Sequence, residues 1–459
     1  MNAVDAFRSL SQQQRCVFLD SARGGTDRSR YSFVAADPFE VIVGGEGDSL
    51  DTLERRLAEF STATIPELPP LQGGAIGFFA YDLARNLEKL PPPRHDEFQL
   101  PMLCFGLYDV VLAFDHQTDD AWLISQGYPE TNTEARSRRA KERAEQVLSW
   151  LGSVESGKRA PAKVGELCTQ FETGYDGIRS NFSAEGFVEA VSQGIEYIFA
   201  GDVFQVNLAQ RLVCPAATDS VSLYLKLREC NAAPFAGYLD LGEHQIISAS
   251  PERFLKVTDR CVETRPIKGT RPRQVAPEAD LFAGAELSAS GKDLAENVMI
   301  VDLMRNDLSR VSEDDSVRVT QLCELEVYEH VQHLVSVVEG RLRDGVTNVE
   351  VVRRTFPGGS ITGAPKVRAM EIIAELEPTS RGAYCGSMGY LGFDGAMDLN
   401  ILIRTITASR GWWQFPVGGG IVAQSVPESE RRETWTKAEG ILQAVSGWTD
   451  ARSSEATSR

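Results

Sequence analysis

Lys268 sits in the run Arg265-Pro266-Ile267-Lys268-Gly269-Thr270-Arg271, whose flanks read as a strand, a turn and a second strand. A lysine at a rigid strand end points into whatever the sheet encloses. Burial there disfavours the charged form, which makes the amine a nucleophile. Taken alone, the run is read more simply as a solvated lysine beside two arginines; four further segments shift that balance.

Two segments offer hard oxygen ligands. Glu296 leads Val298-Met299-Ile300-Val301-Asp302-Leu303-Met304, which is apolar nearly all round and so reads as a buried helix. A buried acid at its start must be paired, protonated or bound to a metal. A salt bridge to Arg305 and a first-turn acid serving the helix dipole are the competing roles. Glu430 and Glu433 stand three apart and share one helix face, although Arg431 and Arg432 between them suit a solvated face equally. Mg2+ typically takes one or two protein carboxylates, keeps some waters and leaves positions for substrate oxygens.

Other segments suit an anion. Gly418, Gly419 and Gly420 follow a strand, and their N–H groups form either an anion-binding nest or a plain hairpin or bulge. Pro357-Gly358-Gly359-Ser360-Ile361-Thr362-Gly363-Ala364-Pro365-Lys366 is a glycine-rich loop entering a helix, and its hydroxyls, amides and lysine suit a carboxylate or phosphate. It lacks the GxxxxGK[ST] spacing of a Walker A loop. Arg404, on Leu399-Asn400-Ile401-Leu402-Ile403-Arg404-Thr405, can grip a carboxylate with two parallel hydrogen bonds. His330 and His333 have HxxH spacing without a third ligand at a zinc-protease position, so each is an acid–base group or a satisfied core residue.

The elements that must position these groups follow from periodicity. Residues 1–128 hold short β-rich runs at 31–35, 41–43, 74–79 and 110–114, broken by Pro91, Pro92 and Pro93. A charged helix at 134–151 leads into a small-residue linker at 152–163. Beyond residue 172 come a helix at 187–199 and strands at 204–213, 235–241, 246–257 and 261–267. Helices at 277–290 and 292–305 follow, then strands reaching 338 and 342, and a helix opened by Pro365. Strands at 383–393, 398–409 and 412–417 precede a last helix at 427–445. Hairpin-joined strands with helices in separate blocks predict an α+β chain of largely antiparallel β-sheets, packed as a sandwich with helices on the outside.

Bulk properties narrow the function. With 459 residues and 42% apolar content, the chain can bury one large core or two ordinary ones. A net charge of −18 argues against nucleic acid and anionic membrane surfaces, while a local cluster or a metal still admits an anionic small molecule. No secretory leader is visible and no apolar run approaches the ~20 residues that span a bilayer. Eight scattered cysteines without a CxxC pair read as reduced thiols, so a soluble cytoplasmic protein is expected.

Taken in order, several motifs resemble those of the chorismate-utilising enzymes. They are Phe204-Gln205-Val206-Asn207-Leu208-Ala209-Gln210-Arg211, Ser250-Pro251-Glu252-Arg253-Phe254, the Lys268 run, Glu296-Asn297 through Arg305-Asn306-Asp307, and His333-Leu334-Val335-Ser336. The stretch from Gly358 to Met370 and the set Gly418 to Ala423 with Glu430 and Glu433 complete the pattern. The likeness is strong over 182–445 and weaker before it. It implies a β-rich region at 1–128 packing on the catalytic part, a charged helix and linker at 129–171, a chorismate-binding catalytic domain at 172–448 and a polar tail at 449–459.

Two positions discriminate within that family. Anthranilate synthases usually carry alanine where Lys268 stands, whereas the branch that makes 4-amino-4-deoxychorismate carries lysine. Isochorismate and salicylate synthases place a water-activating lysine where Gln205 stands. The pair found here implies amination of chorismate by ammonia, a precursor step toward 4-aminobenzoate and folate, with the tryptophan-pathway reaction as the alternative. A non-catalytic amino-acid-binding or assembly protein on the same scaffold is the alternative of another class. The resemblance further implies Lys268, Glu252 and His333 as catalytic groups and Mg2+ on Glu296, Glu430 and Glu433. Substrate contacts are implied from Gln205, Thr270, Thr362, Gly363, Lys366, Tyr390, Arg404, Gly418, Gly419 and Gly420. No GxCxG glutaminase elbow is present, because Cys385-Gly386-Ser387 lacks the first glycine. Ammonia is therefore expected from a separate glutamine amidotransferase subunit in a heterodimer. Asp20, Ser21, Pro234 and Phe235 match a region where relatives bind tryptophan, with Ala232 and Phe235 departing from the usual pattern.

Overall fold

A computed structural model of the chain describes residues 1–22, 29–45, 47, 49–152, 165–273, 276–327 and 331–456. Most of the expected linker and His330 lie outside the described residues. Two large antiparallel sheets organise the rest, one of twelve strands and one of ten. The strands Gln205–Pro215, Trp412–Ile421, Thr405–Ser409, His244–Ser250 and Phe235–Asp240 run side by side through the larger sheet. The smaller sheet carries Ile267–Pro272, Val331–Arg341, Cys261–Thr264, Arg253–Thr258, Met397–Asn400 and Ser387–Gly392 in that spatial order.

The N-terminal strands are built into both sheets. Val17–Asp20 pairs with Phe235–Asp240, and Gly74–Phe79 pairs with Ser387–Gly392. Between the sheets lie Phe33, Phe78, Leu239, Ile246, Met388 and Leu402. Helices Ala3–Leu10, Ser220–Cys230 and Pro427–Ala456 cover the larger sheet with Phe7, Leu223, Leu227, Ile441 and Val445. Each such side chain contributes about 1.5–3 kcal/mol on full burial. Asn348–Thr355 and Lys366–Leu376 supply Val349, Val352 and Ile373 to a third core.

Local chemistry explains where elements start and stop. The helix Ala184–Ala200 is capped by Ser183, whose hydroxyl accepts from the Gly186 N–H at 3.0 Å, and it ends at Gly201 in a left-handed conformation. In Ser220–Cys230 the residues Val221, Leu223, Leu225 and Leu227 alternate as in a strand, yet an Asp219 cap makes the segment a helix. The final helix runs on to Ala456, past the expected stop near residue 445. No proline interrupts that polar stretch, and its alanine, arginine and glutamate are good helix formers.

Two segments expected as single strands are each divided between the sheets. Residues 246–257 form His244–Ser250 in the larger sheet and Arg253–Thr258 in the smaller one. Pro251, which lacks an N–H for a ladder, stands at the break. Residues 398–409 likewise divide into Met397–Asn400 and Thr405–Ser409. The two crossings are bonded together: the Ile401 N–H donates to the Glu252 carbonyl at 3.0 Å and Ser250 Oγ to the Ile401 carbonyl at 2.5 Å. All eight cysteines are free thiols. No helix among the described residues is long and apolar enough to cross a membrane.

Candidate active site

Lys268 is aimed by a break in the ladder. It pairs with Leu334 and Thr270 pairs with His333, so Gly269, at φ +67°, is an extra residue on its strand. Such a bulge bends the strand and re-aims the neighbouring side chain. The Lys268 Nζ then lies 2.7 Å from Glu296 Oε1 and 3.4 Å from the Ser360 carbonyl. The lysine is therefore ion-paired rather than isolated in an apolar pocket, because the helix Gly291–Ser309 brings an acid to it. The same Glu296 oxygen accepts from Gln205 Nε2 at 3.0 Å. Gln205 is fully buried, and its Oε1 has no hydrogen-bond partner among the described residues.

Glu252 reaches the same place from the first crossing between the sheets. Its Oε1 accepts from Ser360 Oγ at 2.7 Å, which puts the acid one residue away from the Lys268 amine. Burial pushes its carboxyl from an ordinary 4.5 up to about 7. The Ser360 hydroxyl, Lys268, the Ile267 N–H and Arg404 pull the other way. Arg404 belongs to the second crossing and holds a left-handed backbone at φ +52° while its carbonyl accepts from the Ala249 N–H. A non-glycine residue at such an angle is strained and persists only where its surroundings over-determine it. His333 is buried one ladder step from Lys268.

The expected metal ligands approach from two helices. Glu430 is buried and accepts from Ser425 Oγ at 2.6 Å, and Glu433 pairs with Lys437 at 2.8 Å. A Cβ on Gly419 would lie 3.7 Å from both Glu430 Oε2 and Glu433 Oε1. One on Gly420 would strike Gln205 and lie 2.9 Å from Glu296 Oε1. Glu430 and Glu433 thus approach the strand at Gly419 and Glu296 approaches it at the next residue, Gly420, where the pleat faces the other way. Among the described residues no three acids lie together as a ready metal cluster, and Glu296 and Glu433 each hold a lysine. The donor types suit a hard divalent cation, with both lysines as competitors.

Other expected contacts are placed differently. Gly418, Gly419 and Gly420 lie in the regular ladder opposite Ala209, Leu208 and Asn207, so they form no anion nest; their smallness admits the side chains just described. Gly363 pairs with Val206 beside Gln205, where a Cβ would collide with the Gln205 carbonyl. The Thr362 hydroxyl is turned back onto the Gly358 carbonyl at 3.0 Å. Lys366 is buried against Asp307 at 2.6 Å and the Thr355 carbonyl at 2.7 Å, which anchors a helix end instead of facing Lys268. The Thr270 backbone stands opposite His333.

Tyr390 lines a cavity whose walls do not include Lys268, Glu252 or Glu296. This cavity of 160 Å³ is lined by Asp20, Ser21, Pro234, Phe235, Tyr390 and Arg253, among others. Asp20 is already engaged there, accepting from Tyr224 Oη and Arg228 Nε at 2.6 Å each. Arg253 follows Glu252 in the chain, lies 4.8 Å over the Phe235 ring and pairs with Asp398. Sequence reasoning missed Ser360 and Lys437. The i,i+4 spacing from Glu433 signals Lys437; nothing in the sequence singles out Ser360 from the hydroxyls around it.

A family model described as chorismate binding enzyme matches residues 14–443. The chain is 40% identical over 454 residues to anthranilate synthase component 1 of Thermus thermophilus, covering 96% of this chain and 95% of that protein. It is 39% identical over 458 residues to aminodeoxychorismate synthase component 1 of Bacillus subtilis, covering 96% and 94%. Among solved structures, anthranilate synthase component I from Streptococcus pneumoniae matches with a TM-score of 0.76 at 30% identity, over 91% of this chain and 93% of that one.

Proposed function

The chain belongs to the chorismate binding enzymes, and we propose that within this family it aminates chorismate with ammonia to give 4-amino-4-deoxychorismate. The reading rests on the Lys268 amine lying 2.7 Å from Glu296 while Ser360 links it to Glu252. A nucleophile and an acid that protonates near neutral pH thus share one site.

In the proposed reaction Lys268 first releases its ammonium proton to solvent, the freed amine adds at ring C2, the double bonds shift and the C4–O bond breaks. Glu252 donates its proton to the departing oxygen, which leaves as water. Ammonia then adds at C4, the bonds shift back and the C2–N bond to Lys268 breaks, while the Glu252 carboxylate takes up the proton ammonia loses. Covalent catalysis divides one difficult substitution into two easier ones. The orphaned Gln205 Oε1 suits an N–H of ammonia; Arg404, whose charge acts on Glu252, would bind a carboxylate, and His333, one ladder step from Lys268, would assist leaving. Glu296, Glu430 and Glu433 would hold Mg2+, which supplies positive charge at the ring carboxylate and draws electron density as the hydroxyl leaves.

We further propose that ammonia arrives from a separate glutamine amidotransferase subunit, in keeping with the component 1 designation of the relatives. The second cavity is proposed to take tryptophan against Phe235 and Tyr390; calorimetric titration with tryptophan tests this. A second reading, anthranilate formation, is favoured by the equally similar Thermus protein. Mass-resolved products from chorismate, Mg2+ and ammonium separate the two. A product that gains an amine and keeps the enolpyruvyl group supports the proposal, whereas anthranilate with pyruvate overturns it.

A further inference from the structure

Ser360 touches both proposed catalytic groups through different atoms. Its hydroxyl bonds Glu252 Oε1 at 2.7 Å and its main-chain carbonyl accepts from Lys268 Nζ at 3.4 Å. We propose that Ser360 is a positioning residue that holds the acid and the nucleophile in register and follows the acid through its two protonation states. This inference rests on the reading of Glu252 as general acid.

The loop is built to keep Ser360 still. The turn Gly359–Ile361 is buried, and a Cβ on Gly359 would lie 2.5 Å from Leu303 and Met304, so the chain presses directly on the helix behind it. On the other side Arg381, paired with Glu377, donates to the Ile361 carbonyl at 3.1 Å and to the Asn207 carbonyl at 2.8 Å. Thr362 Oγ1 closes the turn onto the Gly358 carbonyl. With the backbone fixed and Oγ bonded to Glu252, the motion that costs least at Ser360 is rotation of the hydroxyl hydrogen.

That rotation has a chemical use. A hydroxyl donates to a carboxylate and accepts from a carboxylic acid, with no movement of heavy atoms. The Glu252 carboxyl can therefore give up and regain its proton while staying aimed. The charged and titratable groups facing it are Lys268, Arg404 and the Cys385 thiol, and the Ile267 N–H also donates to it. Of its partners, Ser360 alone has a hydroxyl that turns. By donating to the carboxylate, Ser360 favours the charged form, so its removal raises the pH at which Glu252 loses its proton.

The test is kcat against pH for the full chain with chorismate, Mg2+ and ammonium, comparing wild type, Ser360→Ala and Ser360→Thr, with melting temperatures to show folding. In Ser360→Ala the high-pH limb is expected to move up by about one pH unit. The same variant should lose about tenfold or more in kcat with the chorismate KM held within about twofold. Ser360→Thr should restore the limb. If alanine prevents folding, Ser360→Cys, a weaker donor, must move the limb in the same direction. An unmoved limb in a variant that melts like wild type overturns the coupling, as does a threonine variant that behaves like alanine. Glu252→Gln separates the two levels: undiminished turnover there defeats the parent reading, and a large loss there with an unmoved Ser360→Ala limb defeats only this inference.

Discussion

Replacing Glu252 by glutamine should make the protein more stable at alkaline pH and nearly inactive. The carboxyl titrates near 4.5 in an unfolded chain and near 7 in the folded one, because burial disfavours its charge. Below 4.5 both states hold the proton and the acid has no charge penalty. As pH rises from about 4.5 to about 7 the unfolded chain releases its proton while the folded chain keeps it, so folding stability falls across that window and levels off above it. A gap of about 2.5 pH units at 1.36 kcal/mol each amounts to about 3 kcal/mol by pH 8.5. For 459 residues the unfolding entropy is about 1 kcal/mol per kelvin, so the full effect is ~2–3 °C. A neutral amide avoids this penalty at every pH. Its own packing and hydrogen-bonding cost is independent of pH and cancels when the gap in melting temperature is followed from pH 5 to pH 8.5. The assay is therefore thermal melting of both proteins across that range, with turnover measured at each point. The melting gap should widen in favour of Glu252→Gln by ~2–3 °C while kcat falls by roughly 10²–10⁴. A gap that stays constant with pH would refute the account of Glu252 as a buried acid that resists ionisation.

Three further outcomes follow from the same geometry. Lys268→Ala should slow turnover of chorismate by about tenfold or more and abolish any lysine-linked adduct seen by mass spectrometry; an unchanged rate sinks the nucleophile role. Mg2+ at about 100 times its dissociation constant should add about 2.7 kcal/mol of stability, read as a shift in melting temperature. Glu430→Gln should lose most of that shift, and an undiminished one would remove Glu430 from the metal site. Gly420→Ala places a methyl group against Gln205 and Glu296, so kcat should drop while overpacking costs ~1–3 kcal/mol in stability. Wild-type kinetics in that variant would show that the bare strand at Gly420 is not what lets Gln205 and Glu296 pack there.

The contrast between what was legible and what was not has a physical basis. Residue type carries chemistry, so Lys268, Glu296 and Arg404 were identifiable from their own runs and Glu252 and Gln205 through the family resemblance, and the structure gathers them. Direction is a tertiary property. Lys366 and Tyr390 have side chains that suit a carboxylate, but one is buried against Asp307 and the other lines the second cavity. Strand propensity is equally blind to which sheet a strand joins: β-prone residues stand on both sides of Pro251, and that proline marks the crossing. That crossing is where Glu252 stands, and the companion crossing carries Arg404 at a left-handed angle. A residue inside a ladder has its backbone committed and its side chain confined to one of two faces. At a crossing the backbone is held by the other crossing instead, as the Glu252–Ile401 and Ala249–Arg404 bonds hold it here. The side chain can then point along the seam between the sheets, where a buried acid is shielded from water. The irregular joints hardest to read from local pattern are therefore the ones that let this fold hold an acid and a cation together in its interior.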